Sequence, residues 1–206
     1  MLKFAVMASG GGTDFQSLID AVESGQIQAE ICCLVAGKPD IYAIKRAESA
    51  GIPVEVVQKK CFSSQEQFDS AILSVLQKYR ADFVVLAGYL SIIGEKTLAA
   101  YPNKIINVHP SLIPSFCGMG MYGSKVHEAA IAYGVKFSGA TVHFIDGQAD
   151  TGPIIMQAAV PVLEGDSPAD LAARVLETEH KILPEAVALM ADGKLRTEGR
   201  IVKILK

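Results

Sequence analysis

Short apolar runs alternate with longer amphipathic stretches along the first half of the chain. Apolar runs of four or five residues are typical of buried strands, whereas apolar residues spaced by three and four indicate helices. The pattern predicts strands over 4–8, 31–35, 54–57, 83–87 and 104–108, and helices over 15–23, 41–50 and 65–79. Strands separated by helices of this length predict a parallel sheet with right-handed crossovers.

The pattern changes in the second half. A loop over 118–123 and a helix over 124–133 precede two long β runs, 139–145 and 154–162. Ser167 and Pro168 are the residues expected at the N-cap and first position of a helix of about 24 residues. A short β tail over 194–205 follows. The expected fold class is therefore α/β, with a Rossmann-like, mostly parallel twisted sheet, helices on both faces and antiparallel strands in the C-terminal half.

Composition narrows the class of protein. The 206 residues are 50% hydrophobic and 20% charged, which is ordinary globular material, and the formal net charge is −3 without a basic run. Nucleic acid is therefore not an expected partner. No apolar segment reaches the length of a membrane span, and the run 2–7 is too short for a signal sequence. The four cysteines lack CxxC spacing, so we expect reduced thiols in a cytoplasmic protein.

A glycine-rich turn, Ser9-Gly10-Gly11-Gly12-Thr13-Asp14, joins the first predicted strand to the first helix. Successive glycine amides at a helix N-terminus form an anion site, because the N–H groups converge and the helix end carries positive partial charge. A tight turn without a ligand is the alternative. The turn matches neither the dinucleotide nor the nucleoside-triphosphate pattern. Asp14 leaves two further alternatives open: its carboxylate occupies the amides itself, or it repels an incoming phosphate.

The run 107–114, Asn-Val-His-Pro-Ser-Leu-Ile-Pro, carries the most chemistry. Asn107 and His109 have the period-two spacing that points both side chains to one side of a strand. Strand carboxyl ends of parallel sheets are where ligands bind. An amide that donates to an oxyanion, beside an imidazole that moves protons near neutral pH, suits acyl transfer. A polar strand end without catalytic function is the alternative.

Other polar residues have weaker signals. Asp150 lies in the turn between the two long β runs and gains a role only if the fold brings it to His109. For His143, inside an apolar strand, a structural role is the default, and for Glu179 and His180 the default is a solvated helix face. No HxH or HExxH pattern is present, so no metal site is expected.

The run 107–114 resembles the pattern shared by folate-dependent formyltransferases, N-[IV]-H-P-S-L-[LI]-P. The segment 150–155 matches the D-x-G-x-I-[IL] stretch of the same family. Three further segments resemble the branch that acts on glycinamide ribonucleotide: 9–13, 85–89 and 179–184. The resemblance covers essentially the whole chain in order. It implies the formyltransferase fold in one domain over 1–206, with a phosphate-binding half over 1–105 and a catalytic, folate-binding half over 106–206.

The resemblance also implies a reaction and its residues. The formyl group of 10-formyltetrahydrofolate would pass to the amine of glycinamide ribonucleotide, two small-molecule partners in purine biosynthesis, in an enzyme for which a homodimer is left open. Catalysis would fall to Asn107, His109 and Asp150. The substrate would meet Gly11, Gly12, Thr13, Asp14 and Glu179. The folate would lie against Tyr89, Leu90, Ile93, Ala149 and Asp150.

The chain departs from the family pattern at three places. Asp14 stands where Asn is usual, and Ser91 stands where Arg is frequent. Extra residues before His127 give the glycine-rich insertion 117–123. Three glycines in this insertion suggest a mobile flap over the substrates, and an inert surface insertion is the alternative.

Other enzymes that handle formyl groups share the Asn/His/Asp trio. Methionyl-tRNA formyltransferases carry a C-terminal RNA-binding domain, and formyltetrahydrofolate hydrolases carry an N-terminal regulatory domain. The chain ends at Lys206 and its first strand starts at Phe4, so neither is expected. A sugar-nucleotide formyltransferase would lack the glycine turn. A non-catalytic binding protein would have lost a member of the trio.

Overall fold

The computed structural model describes residues 1–205. Nine strands in this range form one sheet in the order β3-β2-β1-β4-β5-β6-β7-β9-β8. The strands are β1 (Leu2–Ala8), β2 (Ala29–Ala36), β3 (Val54–Val56), β4 (Phe83–Leu86), β5 (Ile105–His109), β6 (Phe137–Phe144), β7 (Ile154–Pro161), β8 (Leu195–Glu198) and β9 (Ile201–Ile204). The helices are α1 (Thr13–Glu23), α2 (Tyr42–Ser49), α3 (Gln65–Lys78), α4 (Glu95–Ala100), α5 (Ser124–Tyr133) and α6 (Pro168–Ala191), with a 3₁₀ turn at Lys59–Cys61.

Strand directions divide the sheet. The pairs among β1 to β5 are all parallel. β6 runs antiparallel to both β5 and β7. β9 then pairs in parallel with β7. The predicted α/β class, with a mostly parallel sheet and antiparallel strands in the C-terminal half, is confirmed.

Hydrophobic cores lie on both faces of the sheet. Phe4 and Val6 of β1 join one core with α1, α2 and α6, and the alternate residues Ala5 and Met7 join a second core with α3. A strand buried on both faces has a continuous apolar sequence, so the strands of the first half could be predicted from the sequence. The predicted helices on both faces are therefore present.

Two elements differ from the predictions. α4 was not predicted, because this six-residue helix after Gly94 has no side-chain cap of its own. Asp69 of α3 caps it instead: its carboxylate accepts from the N–H groups of Lys96 and Thr97 at 2.8 and 3.3 Å. The predicted β tail over 194–205 is a hairpin, with Gly199 in the left-handed region at its turn. The cap of α4 is distant in sequence, whereas the hairpin pairs neighbouring segments of the chain.

The parallel strands position the site. β1, β4 and β5 have neighbouring places in the sheet and the same direction, so the loops that follow them leave the same edge. These are the glycine loop (residues 9–12), the loop that begins at Ala87, and the loop that begins at Pro110. Three of the sequence segments with candidate chemistry therefore meet at one edge.

Candidate active site

A cleft of about 500 Å³ opens at this edge. The catalytic candidates Asn107, His109 and Asp150 line it, and so do Asp14 and Glu179. All five residues predicted to contact folate also line it: Tyr89, Leu90, Ile93, Ala149 and Asp150. The fold thus collects candidates from five separate parts of the chain into one cavity.

Asn107 owes its orientation to a histidine on the neighbouring strand. Asn107 pairs with His143 in the antiparallel register of β5 and β6, and its Nδ2 lies 3.1 Å from His143 Nε2. His143 Nδ1 lies 2.9 Å from the carbonyl oxygen of Phe144. Because a carbonyl only accepts, Nδ1 carries the proton and Nε2 accepts from the amide. The second N–H of Asn107 is then free to face the cleft.

His109 is buried at the end of β5, with 4% of its surface exposed. Its Nε2 donates to the carbonyl oxygen of Phe116 at 3.0 Å, which leaves Nδ1 facing Asp150 Oδ2 at 3.5 Å. Burial lowers the pKa of His109, although the Asp150 carboxylate acts in the opposite direction. The imidazole is therefore neutral near pH 7, and its Nδ1 lone pair can accept a proton.

Asp150 is held in a strained turn between three groups. Its backbone has a φ of +58°, which is uncommon outside glycine. The Gly118 amide donates to Oδ2 at 2.9 Å, and His143 Nε2 lies 3.6 Å from Oδ1. Burial raises the pKa of Asp150, but His109 and the Gly118 amide act in the opposite direction and help to bring it below its ordinary value. The carboxylate is thus ionised and can stabilise a charged His109.

A buried hydrogen-bond network supports the loop after β5. Thr141 Oγ1 donates to the Ser111 carbonyl at 2.6 Å and accepts from the Ile113 amide at 3.1 Å. Gln157 Nε2 donates to both Thr141 Oγ1 and the Ile113 carbonyl. The run 107–114 is therefore attached to β6 and β7, which fixes where His109 lies.

The Asp-x-Gly pattern at the turn has a packing reason. A Cβ at Gly152 would overlap the carbonyl of Phe144, so only glycine permits this close approach of the two strands. The Phe144 amide donates to the Pro153 carbonyl at 2.9 Å. This contact ties the Asp150 turn to the strand that carries His143.

The glycine loop presents free amides. Gly12 is the N-cap of α1 with φ +70°, and no side chain caps the helix. Within residues 1–205, no acceptor bonds the N–H groups of Gly11, Gly12 or Thr13. Asp14 does not occupy these amides, which removes one of the two alternatives for its carboxylate. Thr13 faces a separate groove outside the cleft, beside α1.

Two carboxylates lie at the end of the cleft near α1. Burial raises the pKa of Asp14 to about 6, and burial together with the negative charge of Asp14 raises the pKa of Glu179 well above its ordinary value. Asp14 Oδ1 lies 3.7 Å from His180 Nε2, and both atoms lack a hydrogen-bond partner among the described residues. This end of the cleft thus disfavours two full negative charges and suits a ligand that supplies protons or positive charge.

The insertion forms one wall of the cleft. Residues 118–123 line it, with Met119 and Tyr122 exposed and with Gly118 bonded to the Asp150 carboxylate. The insertion therefore contacts a catalytic candidate directly. Whether it moves as a flap stays a prediction.

Residue patterns alone missed the position of two residues, although the family resemblance assigned Glu179 to the substrate. His143 was assigned a structural role by default, yet it binds Asn107 and lies beside Asp150. Glu179 is buried rather than on a solvated face, with 7% exposed. A polar residue at an otherwise buried position of a strand or helix was the available signal, since such groups usually have a partner.

No group of three or more His, Cys, Asp or Glu residues in positions 1–205 is arranged to hold a metal ion. Over the same residues, the helices all fall short of the length and apolar character needed to cross a membrane.

The α/β fold and the grouping of Asn107, His109 and Asp150 in the cleft define an enzyme of the acyl-transfer class. A family model described as "Formyl transferase" matches residues 2–187, so the chain belongs to the formyl transferase family. It is 39% identical over 201 residues to phosphoribosylglycinamide formyltransferase of Haemophilus influenzae, covering 98% of this chain and 92% of that relative. It is 41% identical over 195 residues to the chloroplastic enzyme of Arabidopsis thaliana, covering 94% of this chain and 67% of the relative.

A solved structure agrees closely with the fold. Glycinamide ribonucleotide transformylase 1 from Symbiobacterium toebii has a TM-score of 0.95 and 42% identity, covering all of this chain and 95% of that one. The predicted resemblance is thereby confirmed.

Proposed function

We propose that this chain transfers the formyl group of 10-formyltetrahydrofolate to the amine of glycinamide ribonucleotide, in the cytoplasm, as a step of purine biosynthesis. Family membership and the names of the relatives support the reaction and the acceptor. One observation carries the proposal: Asn107, His109 and Asp150 line the same cleft as Asp14, which follows the glycine loop and its free amides.

The two substrates have distinct places in this proposal. The substrate phosphate binds the N–H groups of Gly11, Gly12 and Thr13, and the glycinamide end extends past Glu179 toward Asn107. The folate ring system packs against Tyr89, Leu90 and Ile93 and against the turn at Ala149 and Asp150, which together line the cleft. The amine and the formyl carbon then meet beside the trio, which converts a bimolecular encounter into an oriented one.

The trio performs the chemistry as follows. The neutral amine attacks the formyl carbon, and the free N–H of Asn107 stabilises the negative oxygen that develops. The proton lost by the attacking nitrogen passes to Nδ1 of His109, whose positive charge Asp150 stabilises at 3.5 Å. Collapse of the tetrahedral intermediate breaks the bond from carbon to N10 of the folate, and the protonated His109 returns its proton to N10. The products are the formamide and tetrahydrofolate, with protons in balance.

The test is a product assay with three arms. One contains 10-formyltetrahydrofolate and glycinamide ribonucleotide, one omits the ribonucleotide, and one replaces the folate with formate and ATP. We expect formylated product in the first arm alone. Folate consumption without the ribonucleotide would assign a hydrolase, and product from formate and ATP would contradict the donor. Size-exclusion chromatography tests the homodimer, which stays a prediction.

A further inference from the structure

Arg46 of α2 lies against the glycine loop from the side away from the cleft. Its Nε donates to the Gly11 carbonyl at 3.0 Å, and its Nη1 donates to Gln16 Oε1 at 2.9 Å. The guanidinium also lies 5.0 Å from the centre of the Tyr42 ring. With Thr13 and His180 it lines a groove that shares no residue with the cleft. Its position is thus fixed by three contacts, none of them with the catalytic trio.

The carbonyls of the three glycines in the glycine loop all have partners. Gly10 O accepts from the Ala43 amide at 3.3 Å, Gly11 O accepts from Arg46, and Gly12 O accepts from the Gln16 amide at 2.9 Å. In a planar trans peptide the carbonyl of one residue and the N–H of the next point in opposite directions. The amides of Gly11 and Gly12 therefore point away from α2, and the Thr13 amide points out of the start of α1.

Arg46 provides the only side-chain bond among these three. The Gly10 and Gly12 carbonyls are held by backbone amides, which no substitution except proline removes. The peptide between Gly11 and Gly12 joins two residues without side chains, so little else limits its rotation. The guanidinium bond is charge-assisted, which makes it about twice as strong as a neutral one.

We propose that Arg46 is a positioning residue that sets the affinity for the phosphate of the acceptor, by turning the Gly12 amide toward it. The inference rests on the proposed function. It gives Arg46, which lies outside the cleft, a part in the recognition of a phosphomonoester. Arg46 touches no reacting atom. Its loss weakens binding of the phosphorylated acceptor and leaves the chemical step almost unchanged.

The experiment compares Arg46→Met and Arg46→Lys with Lys45→Met. Lys45 is the matched control, because it precedes Arg46 on α2 and also lies over the Tyr42 ring, at 5.7 Å, without a bond to the loop. Each protein is assayed with glycinamide ribonucleotide and with its dephosphorylated riboside. Loss of one charge-assisted bond predicts a KM for the ribonucleotide raised roughly 10- to 100-fold in Arg46→Met, with kcat within about threefold. The KM for the riboside should not change.

Arg46→Lys separates orientation from charge. Lysine keeps the positive charge but lacks the planar fork that bonds Gly11 and Gln16 together. We expect its KM for the ribonucleotide to stay well above that of the wild type. A wild-type KM in Arg46→Lys would overturn the orienting role, and an equal rise for ribonucleotide and riboside in Arg46→Met would show a general structural defect instead.

A binding measurement keeps this inference separate from the proposed function. Titration of ¹⁵N-labelled protein with inorganic phosphate should shift the amide resonances of Gly11, Gly12 and Thr13, and the shifts should require higher phosphate in Arg46→Met than in Lys45→Met. Equal titration in both variants would overturn the role of Arg46. If the wild type binds phosphate there but transfers no formyl group, the proposed function fails and the Arg46 assignment stands.

Discussion

The glycine loop after β1 and the loop after β5 leave the same edge of the sheet but differ in what they offer a ligand. The glycine loop offers backbone N–H groups, oriented by carbonyl bonds to α1 and α2. The loop after β5 offers side chains, with Asn107 and His109 each oriented by a further bond. A site built from backbone depends on conformation, whereas a site built from side chains depends on single atoms. Substitutions in the two regions should therefore have different consequences.

The largest effect is expected in the side-chain region, from Asp150→Asn. Removing the negative charge leaves the protonated His109 without its counter-charge, while the similar shape keeps the cleft intact. We expect kcat to fall by about 10²- to 10⁴-fold, the range for loss of proton-transfer assistance. Isothermal titration calorimetry should still detect both substrates.

Asp146→Asn is the matched control, because Asp146 is an exposed carboxylate in the same turn whose partners, among residues 1–205, are Gln148 and Thr151. Its kcat should stay near the wild-type value. Full activity in Asp150→Asn would remove Asp150 from the catalytic roles.

The backbone region should respond to Gly12→Ala. Gly12 has a φ of +70°, and an added Cβ would lie 2.7 Å from the Ala43 Cβ, so the loop must shift. We expect a loss of roughly 1–3 kcal/mol in the free energy of unfolding and a raised KM for the ribonucleotide. Denaturant unfolding and steady-state kinetics measure the two effects.

Gly10→Ala is the control for this substitution, since a Cβ at Gly10 meets nothing within 4 Å. It should leave both stability and KM nearly unchanged. Equal effects of the two substitutions would contradict the claim that the conformation at Gly12 determines the stability of the loop and its affinity for the ribonucleotide.

Asp14 lies where the glycine loop meets the cleft, and Asp14→Asn tests how much its buried charge lowers the free energy of unfolding. Its pKa is raised from 3.8 to about 6 in the folded protein by burial. Below pH 4 the carboxyl is protonated in both states, and above pH 6 it is ionised in both, at a cost to the folded state alone. Wild-type stability should therefore fall as pH rises from 4 to 6.

The asparagine variant lacks this titration. We therefore expect its free energy of unfolding to exceed that of the wild type by about 1–3 kcal/mol at pH 7 and to equal it at pH 4. One pKa unit corresponds to about 1.4 kcal/mol. Urea unfolding at both pH values measures the difference. Asp20→Asn, which replaces an exposed carboxylate on the same helix, is the matched control, and its free energy of unfolding should stay near the wild-type value. A gain at pH 4 equal to that at pH 7 would contradict the burial argument.

The smallest effect concerns the pH profile. Burial lowers the pKa of His109, so the imidazole stays neutral somewhat below pH 6.5. We expect kcat/KM for the folate, measured at saturating ribonucleotide, to begin its fall at a lower pH than a histidine of ordinary pKa would give. A profile that already falls between pH 8 and 7 would indicate a group with a raised pKa instead.

The difference between the regions also explains what the sequence could predict. The parallel strands and their helices follow from local apolar periodicity, so their bounds were predicted to within a few residues. The glycine loop and the run 107–114 carry their chemistry in contiguous residues. Both could therefore be found before the structure.

Contacts between distant segments could not be predicted from local patterns. The approach of Asp150 to His109 depends on the turn after β6, and the contact of His143 with Asn107 depends on the register between β5 and β6. α4 depends on a cap supplied by Asp69, more than twenty residues earlier. Family resemblance supplied the role of Asp150, whereas the signal for His143 was only that of a polar residue inside an apolar strand.

The most direct test of the division between backbone and side-chain regions is a crystal structure of the complex with glycinamide ribonucleotide. We predict the phosphate within hydrogen-bond distance of the Gly11, Gly12 and Thr13 amides, and the amine directed into the cleft toward Asn107 and His109. A phosphate bound away from the glycine loop, or an amine directed away from the trio, would contradict the account.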